Sequence, residues 1–248
     1  MPNFCLILQQ LWFCWLAFFG IILLRYFLIA GGMYWFFYSA VGKPSLGQSW
    51  WQKPVTWKSI YSDIKLSVLS AAVFALAAAL TVFGYDSGVT LLYASLQQYG
   101  LWYLGVSFIA VLLLQDAYFY FIHRAFHHPK LFQWLHHGHH RSRNPTPWTS
   151  FAFDLPEALV HGLFLLGIVF LIPLHLITLI AILMTMTVWA VLTHLGFELI
   201  GTSSLSRWLG RWLIGSTHHS LHHRKYRVHY GLYFTFWDKL LGTQDANY

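Results

Sequence analysis

The sequence predicts an all-α integral membrane protein, built of helical hairpins with about 4–5 spans and capped by a cytosolic histidine-rich helical domain. Three observations carry this. Hydrophobic residues make up 57% of the 248 and charged residues only 9%, well below the ~25% of a soluble domain, so lipid must cover part of the surface. The apolar residues fall in runs long enough to span a bilayer. Finally, 15 histidines stand against 8 acidic residues, with seven at 123–140 and five at 218–229. A disordered chain, a coiled coil and an ordinary cytosolic globule are excluded.

The first apolar run extends from Phe4 to Val41, interrupted only by Arg25 and the Gly31–Gly32 pair. At 1.5 Å per residue it exceeds a hydrocarbon core of ~30 Å. It reads as one helix ending near the glycine pair, then an aromatic interfacial segment, Tyr34-Trp35-Phe36-Phe37-Tyr38. The run is far longer than a signal-peptide core and has no preceding positive charge, which predicts an anchor that stays attached. Cys5 and Cys14 fall in it and read as small apolar packing residues. Residues 1–54 are thus expected to form an N-terminal anchor and interfacial loop, and 55–248 the unit that holds the histidines. A polar, Trp-rich loop at about 43–65 carries Lys43, Lys53, Lys58 and Lys65, and Leu66 to Gly84 forms a second span. The next connection holds Asp86 and no Lys or Arg. A third span covers about Leu101 to Ile122, and Ala158 to Thr193 suffices for two more, broken at Pro173.

The net charge is +7. Its basic residues lie between apolar runs rather than along a stripe or tail, which argues against nucleic acid and for anionic lipid headgroups. Lys43–Lys65, Arg124–Arg143 and Arg207–Lys239 carry the Lys/Arg excess. The positive-inside rule then predicts two hairpins, about 66–122 and 158–193, with all three basic segments on the cytoplasmic side. Both histidine-rich segments share that compartment.

Spacing singles out particular histidines. His123 and His127, four apart, share a face of a helix continuing from the third span. His136, His139 and His140 follow H-x-x-H-H, which places three imidazoles on one helical face, and His219, His222 and His223 repeat the pattern. His194 ends the last span. Nine imidazoles exceed the needs of one metal ion and suit two neighbouring ions, since one helix offers only two or three ligands. Imidazole alone does not separate iron from zinc, copper or nickel. His128, His137 and His218 are out of phase and fit hydrogen bonding behind the ligands, His161 and His175 are isolated and fit structural roles, and His229 is ambiguous. Among the acids, Asp116 lies seven before His123 and either orients an imidazole or is a plain interfacial carboxylate. Asp154 and Glu157 read as helix N-terminal charges, and Glu198 as a ligand or an orienting partner.

At these residues the sequence resembles the fatty acid hydroxylase / sterol desaturase superfamily of integral membrane di-iron proteins. The matching pieces are H-R-A-F-H at 123–127, H-H-G-H-H at 136–140, H-H-S-L-H-H at 218–223 and the closing Y-G-L-Y-F-T-F-W-D-K-L-L-G-T at 230–243. The resemblance covers roughly 55–245 and is specific for superfamily, not for substrate. It implies metal ligands at His123, His127, His136, His139, His140, His194, His219, His222 and His223; the family often has Asn where this chain has His229. It implies two iron ions, O2 as co-substrate, and a lipid (sterol, fatty acyl or isoprenoid-like) that is hydroxylated or desaturated. It also implies electrons from a separate cytochrome b5-like or ferredoxin-like protein, and a bacterial inner-membrane or ER-type location. The rival readings are a metal transporter, which would need polar residues along the spans, and a non-catalytic metal-binding protein. A metalloprotease lacks its H-E-x-x-H.

Overall fold

The computed structural model describes residues 4–40, 55–198 and 208–246. The expectations for Lys43, Lys53 and Arg207, and for the side chain of Cys5, lie outside the described residues; Cys14 is a half-buried free thiol. Among the described residues four helices are long and apolar enough to cross a membrane: Ile7–Ser39, Trp57–Asp86, Leu101–Phe126 and Leu176–Thr193. The protein is an all-α membrane protein.

The first helix, α1 (Phe4–Tyr26), does not stop at the glycine pair. It continues through π-helical turns at Phe27–Gly31 and Phe36–Ala40, on either side of an α turn at Gly32–Trp35. Both glycines keep right-handed helical angles. Gly31 is there for packing rather than for a turn, since a Cβ on it would sit 2.9 Å from the Trp148 ring, whereas one on Gly32 would meet nothing within 4 Å. The continuation delivers Tyr38, whose hydroxyl donates to the carbonyl of Leu195 at 2.6 Å.

Helix α2 (Trp57–Asp86) begins earlier than the expected Leu66, because Thr56 caps it by accepting from the amide of Ser59 at 3.3 Å. At 30 residues it is about 45 Å long, longer than the hydrocarbon core. Buried Ala71 and Ala75 let α1 approach closely, and Trp15 donates to the carbonyl of Ala72 at 2.9 Å.

The strands β1 (Leu92–Tyr93) and β2 (Leu174–His175) pair in parallel and tie the two hairpin connections together away from the histidines. Between them run α3 (Leu101–Phe126) and the short helices α4 (Pro129–Leu135) and α5 (His137–His140). The last hairpin is α6 (Leu155–Leu171) and α7 (Leu176–Thr193), with the expected break around Pro173. Two short helices, α8 (Ser216–Lys225) and α9 (Phe236–Leu240), close the chain over the ends of α3 and α7.

Candidate metal centre

The histidines come from five places in the fold and meet at one end of the spans. The end of α3 supplies His123 and His127; α4 and α5 supply His136, His139 and His140; the residue capping α7 is His194; α8 supplies His219, His222 and His223. They form two groups. His123, His127, His136, His140 and His222 have one nitrogen each within 4.8 Å of one another, and so do His139, His194, His219 and His223. The H-x-x-H-H boxes therefore do not each present one face to one ion. Positions i+3 and i+4 splay to opposite sides of position i by about 60° and 40°, so each box feeds both groups. His136 is further turned by a break between α4 and α5, where its φ is −144°.

The donor chemistry fits a metal ion in each group. Nδ1 of His123 and of His222 lie 3.0 and 2.8 Å from the carbonyls of Tyr230 and Val228, so both Nδ1 atoms carry the proton; Nδ1 of His136 lies 2.7 Å from Oε1 of Glu157. The Nε2 atoms of His123 and His222 are then bare lone pairs, in a group with one nitrogen from each ring within 4.8 Å of the others. The second group repeats this: Nδ1 of His139 and of His194 lie on the carbonyls of Ala152 and Ala190 at 3.2 and 2.6 Å, while their Nε2 atoms are 3.4 Å apart. Lone pairs facing at such distances repel unless a cation lies between them. Two nitrogens bound to one ion at about 2.1 Å lie about 3.0 Å apart at a right angle and about 3.4 Å apart at the tetrahedral angle.

Burial keeps the imidazoles neutral, the form that binds metal. It pushes His127 and His194 down to about 4. Burial and then the neighbouring imidazoles push His136, His139, His140, His219, His222 and His223 well below their ordinary value.

Carboxylates hold this arrangement, and their roles were the part least visible in the sequence. Glu157, expected as a helix-end charge, is 1% exposed and backs His136. The signal available was a lone acidic residue on a largely apolar helix. Asp154 accepts from the amide of Gly138 at 2.6 Å, and a Cβ on Gly138 would fall 2.2 Å from its Oδ1, so only glycine fits inside the second box. Asp238 accepts from the amides of Tyr230 and Gly231 at 2.8 and 2.9 Å, which fixes the Tyr230 carbonyl behind His123. Asp116 does not orient an imidazole. Its Oδ1 accepts from the amides of Tyr233 and Phe234 at 2.7 and 3.1 Å, because the closing segment folds back along α3. Glu198 lies outside both groups and accepts from the amide of Thr217 at 3.2 Å, holding the start of α8.

The remaining histidines divide differently from expectation. His175 caps α7 and lies 2.9 Å from the carbonyl of Ala94, a structural role. His128 caps α4, and His137 is exposed. His218 is buried, accepts from the amide of Gly215 at 3.1 Å and packs against His229. His229 has φ +57°, a left-handed conformation that Asn and His tolerate better than most residues. His161 is not isolated: it stacks on Phe119 and its Nε2 lies 3.7 Å from Glu157.

A small cavity touches both groups. His123, His136, His139, His194 and His219 line one side; Phe119, Phe153, Ile214 and Leu232 supply apolar walls. The arrangement can hold two metal ions beside an apolar chamber.

Comparison with known proteins agrees with this geometry. The family described as Fatty acid hydroxylase matches residues 108–243. The Delta(7)-sterol 5(6)-desaturase ERG3B of Gibberella zeae is 32% identical over 163 residues, 66% of this chain and 49% of that protein. Lathosterol oxidase of Homo sapiens is 33% identical over 145 residues, 58% and 47% of the two chains. The Delta(7)-sterol 5(6)-desaturase erg3C of Aspergillus fumigatus is 29% identical over 179 residues, 64% and 54%. The chain spans about half the length of the curated relatives it matches. No solved structure matches. With more than half of its residues covered by the family match, and the histidine boxes inside it, this chain belongs to the fatty acid hydroxylase family.

Proposed function

We propose that the protein is an O2-dependent di-iron oxidoreductase that hydroxylates or desaturates a membrane lipid. The observation that carries this reading is the pair of neutral histidine groups, each with lone pairs converging on one point, bordering a single apolar-walled cavity. The nine histidines are the proposed ligands. Two irons held there would supply the reduction of O2 and the removal of hydrogen from an unactivated C–H bond, chemistry that no side chain provides. The chain's own residues do the rest. The Tyr230, Ala152, Ala190 and Val228 carbonyls fix the tautomers of His123, His139, His194 and His222 so that their Nε2 atoms point inward, and Glu157 backs His136. Phe119, Phe153, Ile214 and Leu232 receive an apolar substrate and exclude water. The names of the relatives favour a sterol within the class of sterol, fatty acyl and isoprenoid-like lipids. A separate cytochrome b5-like or ferredoxin-like protein is the proposed electron donor, and the site is proposed to face the cytoplasm.

Transport gains no support from the spans. Ser67, Ser70, Thr81 and Thr187 donate to backbone carbonyls within the bundle rather than lining a path. The test is metal analysis with lipidomics. Purified protein should hold about two irons per chain, and cells with and without it should differ in one lipid by an added hydroxyl or double bond. Absence of iron, or a single tightly bound zinc, would sink the proposal. His139→Ala and His222→Ala should each abolish loading of one ion at least, whereas His175→Ala should retain both.

A further inference from the structure

Surface charge on this molecule is segregated. Of its eight carboxylates only Asp86 is exposed, at the far end of the α2–α3 hairpin. At the histidine end the exposed residues of 136–147 are His137, Arg141 and Arg143, and those of 216–230 are Lys225 and Arg227. The two stretches meet. Arg224 donates to Asn144 at 3.4 Å, and the Tyr226 ring lies 4.8 Å from that of His140 at 31°. Lys225 is paired with Asp245, so the arginines supply the charge. Among the described residues the surface directly over the metal centre is therefore cationic, with no exposed side-chain carboxylate.

This surface faces water rather than lipid. Neither stretch exposes a large hydrophobic side chain, whereas the neighbouring surfaces do, with Leu131 and Trp134 on one side and Trp212 and Phe236 on the other. A surface that rests on lipid interleaves apolar side chains with its cations, as Trp212 does with Lys239 at 4.6 Å.

We infer that the Arg141–Arg143–Arg227 surface, centred on Tyr226, is the docking site of a one-electron carrier protein that presents carboxylates. This rests on the oxidase reading above. Each turnover combines one O2, two electrons and two protons with the lipid, giving an alcohol and one water, or an alkene and two waters. Two molecules of reduced carrier are oxidised in turn. Tyr226 marks the point of entry. Its φ of +65° is a strained conformation for a residue with a side chain. The strain holds its ring against both His140 and Phe132, so one aromatic ring separates the carrier from the metal ligands. Complementary charge of this kind sets association rate and partner choice.

The test uses the full chain in nanodiscs of phosphatidylcholine, metal-free and iron-loaded. The probe is the soluble haem domain of a cytochrome b5, native and with its carboxylates esterified. The native domain should bind with an affinity that falls steeply with salt, and the esterified form at least tenfold more weakly. Arg143→Glu with Arg227→Glu should raise Kd and the KM for the carrier at least tenfold. Metal content and dithionite-driven single turnover should match the unsubstituted chain. Arg211→Glu with Lys239→Glu, exposed on the neighbouring Trp212 surface outside the patch, should leave Kd within twofold. Equal binding of native and esterified domains, or equal losses from the two double variants, overturns the assignment. So does an effect of the arginine reversals that appears only in discs containing phosphatidylserine, which would give the surface to lipid. Failure of dithionite-driven turnover in the unsubstituted chain would instead strike the oxidase reading itself.

Discussion

Glu157 sits on α6, a helix whose other residues from Leu155 to Leu171 include no acid, and burying a carboxylate there is costly unless it has a partner. Its partner is His136. The other ring nitrogens with a clear backing, on His123, His139, His194 and His222, rest on backbone carbonyls. The five-histidine group thus has a carboxyl group behind one ligand, where the backings seen in the four-histidine group are backbone carbonyls. Glu157→Gln keeps the shape and replaces the carboxyl by an amide. It should weaken the tighter of the two metal-binding steps by roughly 10–100-fold, the usual cost of losing such a partner. A cobalt titration followed by visible absorption checks this, and equal weakening of both steps would show that Glu157 acts only as packing.

At the scale of elements, the closing segment around α9 works as a clasp. Asp238 gathers the amides of Tyr230 and Gly231 and the hydroxyl of Thr243, while Trp237 packs on Tyr120 and Phe121 of α3. The clasp explains why a motif without a histidine belongs to a histidine site: it sets the carbonyl that holds His123. A Cβ on Gly231 would meet the carbonyl oxygen of Phe234 at 2.6 Å. Gly231→Ala should therefore cost about 1–3 kcal/mol, by overpacking a closed site. It should lower the thermal midpoint and release the ion of the five-histidine group first. An unchanged midpoint would mean that the segment can shift without strain.

Across the whole molecule, the buried histidines couple stability to pH. His127 and His194 bind protons more weakly in the folded chain, at about 4, than in the unfolded one, at 6.5. The unfolded state therefore takes up more protons on acidification, so stability is fully present above about pH 6.5 and is lost as pH falls towards about 4. The thermal midpoint of metal-free protein should drop across that window; a flat midpoint would mean that these rings reach water. Orientation is testable on the same scale. With Cys5 and Cys14 replaced by serine, a cysteine at exposed His137 should label from the cytoplasm, and one at exposed Val89 from the opposite side. The reverse pattern would overturn the cytoplasmic placement.

The sequence by itself determined the membrane body, the spans and which histidines are in phase. These follow from apolar run length and from residue spacing, both local quantities. It did not reveal where α1 goes after Gly31, because a glycine pair reads alike whether it turns the chain or admits Trp148. Nor did it reveal that His139 parts from His136 and His140, since grouping depends on which imidazoles arrive from α7 and α8. The roles of Glu157, Asp116 and Asp238 were likewise settled only by tertiary structure. A carboxylate's partner lies up to 118 residues away along the chain, and only the packing of α3, α6 and the closing segment brings the two together.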